Sequence, residues 1–231
     1  MKKTKALMLL TFLVVIPLTV ILGGRIPGRS YYITSTLILI ELMLPFFLAF
    51  EGRKPQAREL VLIAVMCALG VATRVVIPIP HVKATFGFIM IAAIAFGAET
   101  GFLVGAVTAL VSNFFLSQGA HTPWQMIAYG AAGLIVGVAY KKGWMSREPM
   151  SMALFGAVLV LLLIGPIMDI SMIFITHSQL SVTGFIAQYV SGLPVNIIQA
   201  VATFLVLRFL GGPLLRKLDR VKLRYGMAEE E

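Results

Sequence analysis

Long apolar runs recur along the whole chain, and they constrain its fold more than any other feature of the sequence. A run of roughly 18 to 25 apolar residues crosses a hydrocarbon layer about 30 Å thick as a helix that rises about 1.5 Å per residue. Within a membrane such a run satisfies its backbone hydrogen bonds only as a helix. Because the 231 residues are 59% hydrophobic and 13% charged, they lack the polar groups that cover a soluble globule. The sequence therefore predicts an all-α membrane protein.

Charged residues and Pro/Gly breaks divide the apolar sequence into eight predicted spans. They lie near residues 6–23, 31–50, 59–77, 85–98, 101–116, 123–140, 152–176 and 185–210. The fourth span is short, and a glycine-bracketed turn from Gly97 to Gly101 separates it from the fifth, so we expect it to be tilted or partly re-entrant. The predicted domains are a two-helix membrane unit at 1–52, a six-helix core at 53–215 and a charged cytoplasmic tail at 216–231.

The distribution of lysine and arginine predicts the orientation of these spans. In an eight-span chain, fifteen of the 19 basic residues fall on one side of the membrane. The other four are Arg25, Arg29, Arg74 and Lys83. Since basic loops stay in the cytoplasm, both termini are predicted to be cytoplasmic, and the net charge of +9 reflects topology rather than nucleic-acid binding. The basic start of the first span is also typical of a signal peptide, but the apolar run is long and has no clean small-x-small cleavage site, which favours a span.

Small residues form a ridge on the third span. Ala64, Ala68 and Ala72 recur every four residues, so they lie on one face of the helix and allow another backbone to approach closely. Ordinary packing within the chain also explains such a ridge, so the spacing alone does not identify its role.

Polar side chains collect in the predicted outer half of three later spans. The fifth span carries Gly101 and Gly105 on the face that ends at Asn113, and Thr122-Pro123 is suited to begin the sixth. The polar residues on these faces are Asn113, Gln125, Tyr129, Gln188 and Asn196. Polar groups in hydrocarbon are costly unless they meet a partner, a cavity or a ligand, so their convergence indicates either a binding site or interhelical hydrogen bonds.

Asp169, on the seventh span, is the most costly single group in the predicted core, and we expect it to face inward. A structural pairing with Arg74, near the outer end of the third span, competes with a role in ligand binding. Glu41, midway along the second span, has no clear role in the sequence pattern.

Signatures of catalysis and of ATP hydrolysis are absent from the sequence. It has no Gly-x-x-x-x-Gly-Lys-Ser/Thr phosphate loop, no His-Glu-x-x-His helix and no Gly-x-Ser-x-Gly turn. The three histidines lack metal-ligand spacing, and the single cysteine, Cys67, lies in an apolar run where packing is its expected role. We predict no enzyme activity, no cofactor and no metal site, so any energised transport requires a partner.

The core resembles the substrate-binding S components of energy-coupling factor (ECF) vitamin transporters over about residues 56–215. The resemblance rests on the alanine ridge of the first core helix, on the turn and helix from Gly97 to Gly105, and on the loop from Asn113 to Trp124 that leads into Gln125-Met126. The stretch from Thr122 to Met126 looks most like the cobalamin-type members.

This resemblance implies a six-helix core in the plasma membrane that captures a vitamin, here cobalamin or a related corrinoid, at the extracellular side. It also implies docking onto a transmembrane scaffold subunit, with two cytoplasmic ATPases that drive release by a toppling of the S component. Docking would use Ala64, Ala68 and Ala72, and ligand binding would use Asn113, Gln125, Tyr129, Asp169, Gln188 and Asn196. The two helices of residues 1–52 are a departure from most members. The alternatives are an S component for another vitamin and a structural or assembly protein of the cell envelope.

Overall fold

The structure is a computed structural model that describes residues 30–52, 56–77, 79, 81–176 and 181–226, together with positions 15, 18, 19 and 22. These residues form helices and connecting turns, with no strand among them, which confirms the predicted all-α fold. The first predicted span, near residues 6–23, lies almost entirely outside the described residues.

Seven of the eight predicted spans correspond to helices in the described part of the chain. The helices are α1 Ser30–Gly52, α2 Ala57–Val75, α3 Thr85–Phe96, α4 Ala98–Leu116, α5 His121–Lys141, α6 Pro149–Leu159, α7 Gly165–Thr176, α8 Val182–Val206 and α9 Gly212–Arg224. Short π-helical segments, Val160–Ile164 and Leu207–Gly211, join α6 to α7 and α8 to α9. Each joined pair is therefore one continuous helix with a local irregularity, a feature that recurs at functional sites.

The start of α6 shows how the local sequence sets a helix boundary. The Glu148 carboxylate accepts a hydrogen bond from the Ser151 backbone N–H at 2.7 Å, and Pro149 occupies the first turn. Hydrogen bonds from the backbone N–H groups of Met150 and Ser151 lower the pKa of Glu148.

The short fourth span is the central helix of the bundle. All twelve residues of α3 are buried, and the helix packs against α2, α4, α5, α8 and α9. A helix that is apolar on every side is expected in the interior of a bundle. Gly97, with φ of +94°, makes the turn into α4, a backbone conformation that a side chain disfavours.

Glycines bring α4 and α5 into close contact. A Cβ atom at Gly105 would overlap the Tyr129 backbone, and one at Gly133 would overlap the Gly101 backbone. The glycine face predicted on the fifth span is thus an interhelical contact inside this chain.

Three of the described helices are long and apolar enough to cross a membrane: Ala98–Leu116, Pro149–Ile175 and Val182–Arg224. Large apolar side chains on the outside of the bundle, such as Leu154 and Leu162, are exposed, as expected for a surface that contacts lipid.

Residues 216–224, which belong to the predicted charged tail, continue the last described helix. In α9, Leu215 and Leu218 are buried, and Lys222 Nζ donates a hydrogen bond at 2.8 Å to the carbonyl of Ala95, in the last turn of α3. Asp219 also forms an ion pair with Arg147 at 2.8 Å. The amphipathic helix α9 is therefore packed onto the bundle.

Candidate functional site

Arg74, in the last turn of α2, connects three helices at the predicted outer end of the bundle. Its Nη1 donates to Ser112 Oγ on α4 at 2.6 Å, and its Nη2 donates to Gln125 Oε1 on α5 at 2.9 Å. Its guanidinium carbon lies 5.4 Å from the centroid of the Tyr129 ring, within the range of a cation–π contact. Only 7% of Arg74 is exposed.

Asn113 extends this group of polar side chains. Its Nδ2 donates to Gln125 Oε1 at 2.8 Å and to Thr122 Oγ1 at 3.0 Å. Thr122 in turn donates to Gln118 Oε1 at 2.9 Å. We call the set Arg74, Ser112, Asn113, Thr122, Gln125 and Tyr129 the Arg74 cluster. It brings together three of the six predicted ligand contacts.

The start of α5 differs from the prediction that Thr122-Pro123 caps this helix. The helix begins at His121, and Ala120, at the capping position, makes no side-chain cap. Thr122 is instead buried within the first turn, which places its hydroxyl beside Asn113.

Asp169 and Asn196 form a second buried polar group between α7 and α8. Asn196 Nδ2 donates to Asp169 Oδ2 at 2.9 Å. Gly192 leaves room for the carboxylate, because a Cβ atom there would overlap it. The Arg74–Asp169 pairing weighed from the sequence is not among the ion pairs of the described residues, since each residue has other partners.

Gln188 is half-buried on α8, and no hydrogen bond among the described residues joins its side chain to either group. Glu41, whose role is open in the sequence pattern, accepts a hydrogen bond from Thr19 in the first span at 2.6 Å.

Aromatic rings lie beside the Arg74 cluster. Tyr129 packs edge-to-face with Phe86 of α3, with ring centroids 4.8 Å apart. Trp124, which the sequence places next to Gln125, stacks on Phe174 of α7 at 5.5 Å with an interplanar angle of 25°. Flat rings and amides therefore lie at one end of the bundle, a combination suited to a planar, polar ligand.

Lys83 lies in the loop between α2 and α3 and is half-buried. Its Nζ donates to the backbone carbonyl of Arg74 at 3.2 Å. Burial, and then the positive charge of Arg74, lower the pKa of Lys83. Arg74, Ser112 and Lys83 shape this site although the sequence pattern does not single them out as ligand contacts. The sequence feature that could have identified Arg74 is its position as a basic residue within an apolar span.

The alanine ridge is exposed along one side of α2. Ala64, Ala68 and Ala72 line an apolar groove of about 620 Å³ between α2 and α4, which we call the α2–α4 groove. The groove is also lined by Leu60, Val76, Leu103, Val107, Val111 and Phe115. The alanines therefore do not pack against another helix of the described chain, in contrast to the glycines between α4 and α5.

Comparison with protein families gives a match over residues 54–217, which is more than two thirds of the chain. The matching family is the ECF-type riboflavin transporter, S component. The chain belongs to this family. No curated protein and no solved structure matches it.

Membership confirms the predicted ECF S component and its multi-pass location in the plasma membrane. Such a subunit captures a small vitamin and works with a scaffold subunit and ATPases. The match does not support the cobalamin-type assignment, because the family is named for a different vitamin. Residues 1–53 lie outside the matched range.

Proposed function

We propose that this S component captures riboflavin at the outer side of the membrane for import. The observation that carries the proposal is the family match over residues 54–217. It supports riboflavin over the corrinoid expected from the stretch Thr122 to Met126, and it favours transport over assembly of the cell envelope.

The chemistry of the Arg74 cluster agrees with a flavin. Riboflavin combines a planar ring system that bears carbonyl oxygens with a chain of hydroxyl groups. Arginine and amide N–H groups donate to carbonyls, and amide oxygens accept from hydroxyls. The Tyr129 ring is buried beneath Arg74 and against Phe86, whereas the Trp124 ring, stacked on Phe174, is half-buried and offers flat apolar surface for stacking. We propose Asn113, Gln125 and Tyr129 as contacts.

We propose that Asp169 and Asn196 also contact this ligand, at a second polar position. Both are buried in the described structure, and Asp169 Oδ2 accepts from Asn196. Gln188, on the same helix as Asn196, is a proposed contact on its sequence position alone.

We also propose that the α2–α4 groove docks onto the scaffold subunit. The groove is apolar and exposed, and the small side chains of Ala64, Ala68 and Ala72 admit a partner helix at close range. Two ATPases would then drive release inward through a toppling of this subunit, with both of its termini in the cytoplasm.

Riboflavin binding by the purified full-length protein tests the proposal. We expect the fluorescence of riboflavin to be quenched on binding, with saturation at one ligand per chain, because its ring would stack near the half-buried Trp124. Cobalamin serves as the comparison ligand under the same conditions. Saturable binding of cobalamin without binding of riboflavin would overturn the assignment of the vitamin while leaving the family unchanged.

A further inference from the structure

Arg74 is a buried cation whose side-chain hydrogen-bond acceptors are neutral. Its guanidinium donates to a hydroxyl, Ser112 Oγ, and to an amide oxygen, Gln125 Oε1. A second cation, Lys83 Nζ, lies 3.2 Å from the Arg74 carbonyl oxygen. The repulsion between them contributes to the lowered pKa of Lys83. Two basic side chains therefore lie within electrostatic range of each other at the predicted outer end.

No carboxylate among the described residues forms an ion pair with Arg74. The chain has only ten acidic residues in total. Seven of them lie in the described range: Glu41, Glu51, Glu59, Glu99, Glu148, Asp169 and Asp219. Glu41 accepts from Thr19, Asp169 accepts from Asn196, and Asp219 pairs with Arg147. Glu59 lies in the first turn of α2, about 22 Å along the helix from Arg74.

A buried cation that meets only neutral groups is costly, and the cost is lower when an opposite charge lies beside it. The same cluster contains an acceptor, Asn113 Oδ1, that is buried and has no hydrogen-bond partner in the described structure. Neutral riboflavin offers Arg74 carbonyl oxygens but no counter-charge.

We propose that this site also captures, and prefers, flavins that carry an anionic group, a phosphate or a carboxylate, which pairs with Arg74 and Lys83. The inference rests on the proposed capture function and adds the charge of the substrate to it. A guanidinium has five N–H donors, and the hydrogen bonds to Ser112 and Gln125 leave donors for a bidentate contact with such a group. Lys83 and Gln125 are half-buried, so the anion reaches Arg74 from their side.

The test compares riboflavin with riboflavin 5′-phosphate, which share their ring and ribityl chain and differ by one phosphate. Their dissociation constants are measured by flavin fluorescence with the full-length protein in the same lipid nanodiscs. We expect the phosphate ester to bind at least about tenfold more tightly, since charge pairs of low exposure contribute that much or more.

The variants Arg74→Gln and Lys83→Gln assign the preference to these residues. Each should reduce the affinity for the ester more than the affinity for riboflavin, so that the ratio of the two dissociation constants falls toward one. Lys142→Gln removes an exposed charge at the opposite end of α5 and should leave the ratio unchanged. Lys83 lies in a loop, so its variant keeps the test open if Arg74→Gln does not fold.

The possible outcomes separate the two proposals. Equal or tighter binding of riboflavin overturns the anionic ligand and leaves the capture of riboflavin in place. A preference for the ester that survives both variants overturns the assignment to Arg74 and Lys83. Binding of neither flavin overturns both the anionic ligand and the proposed function.

Discussion

At the scale of single residues, glycines determine how closely α4 and α5 approach. Gly105 faces the Tyr129 backbone directly, and Tyr129 is also a member of the Arg74 cluster. The contact therefore positions a side chain of the site as well as joining two helices. Backbone atoms cannot move aside as a flexible side chain can, so even one methyl group at this position forces the helices apart.

We predict that Gly105→Ala lowers the stability of the purified protein by about 1–3 kcal/mol, the usual cost of inserting a methyl group into a packed core. The free energy of unfolding is measured by titration with a denaturing detergent. Gly52→Ala is the matched control, because a Cβ atom there meets no described atom within 4 Å. An equal effect of the two substitutions would contradict the assigned contact.

The sequence predicted which polar residues lie in the core but not how they pair. Arg74 and Asp169 are charged residues in apolar spans, so the sequence predicted that each needs a partner in the core. Spacing along a helix gives the face on which a residue lies, but it does not give the rotation of that helix against its neighbours. For this reason the pairing of Arg74 with Ser112 and Gln125, and of Asp169 with Asn196, required the structure.

At the scale of helices, α2 has two different sides. One side packs inward through Ile63, Met66 and Gly70, and the other exposes the alanine ridge in the α2–α4 groove. Helices in lipid associate through close contact of small residues rather than through the hydrophobic effect. The exposed ridge is thus a surface on which a second membrane helix can pack.

We predict that Ala68→Trp abolishes riboflavin uptake in cells that express the scaffold and the ATPases, because the indole ring fills the α2–α4 groove. Riboflavin binding by the purified variant should stay within about twofold of the unchanged protein, since Ala68 lies outside the Arg74 cluster. Uptake is measured with labelled riboflavin.

Leu154→Trp, on an exposed side of α6, controls for the presence of a tryptophan on the membrane surface. It should retain uptake. If Ala68→Trp lost binding together with uptake, the groove would not be a surface used for docking alone.

Helix boundaries were predicted within a few residues where charged or glycine-containing turns mark them. The last span is the exception, since its predicted end at 210 falls within the π-helical segment Leu207–Gly211, after which α9 continues to Arg224. The local sequence Gly211-Gly212-Pro213 predicts that the helix ends there. Burial of Leu215 and Leu218 against the bundle, which involves distant residues, stabilises the continuation.

At the scale of the whole molecule, α9, the last described helix, is joined to the central helix α3. The ammonium group of Lys222 lies at the C-terminal end of α3, where backbone carbonyls lack intrahelical partners and the helix dipole favours a positive charge. It also lies 5.6 Å from the centroid of the Phe96 ring.

We predict that Lys222→Met lowers the melting temperature of the purified protein, because it removes the hydrogen bond to Ala95 and leaves a carbonyl at the end of α3 without this partner. The expected decrease in the free energy of unfolding is about 0.5–2 kcal/mol. Lys217→Met removes a charge from an exposed position of the same helix and should have little effect. Equal losses for the two variants would show that net charge, not this contact, is responsible.

The complete burial of α3 has a consequence for biogenesis. Its twelve residues extend only about 18 Å, less than the roughly 30 Å of a hydrocarbon core, so α3 is too short to cross the bilayer alone. Gly97 joins it directly to α4, a span of sufficient length. We therefore expect the two helices to enter the bilayer as one hairpin during synthesis. Since α8 and α9 also pack on α3, we expect its surroundings to be complete only after α9 has left the ribosome.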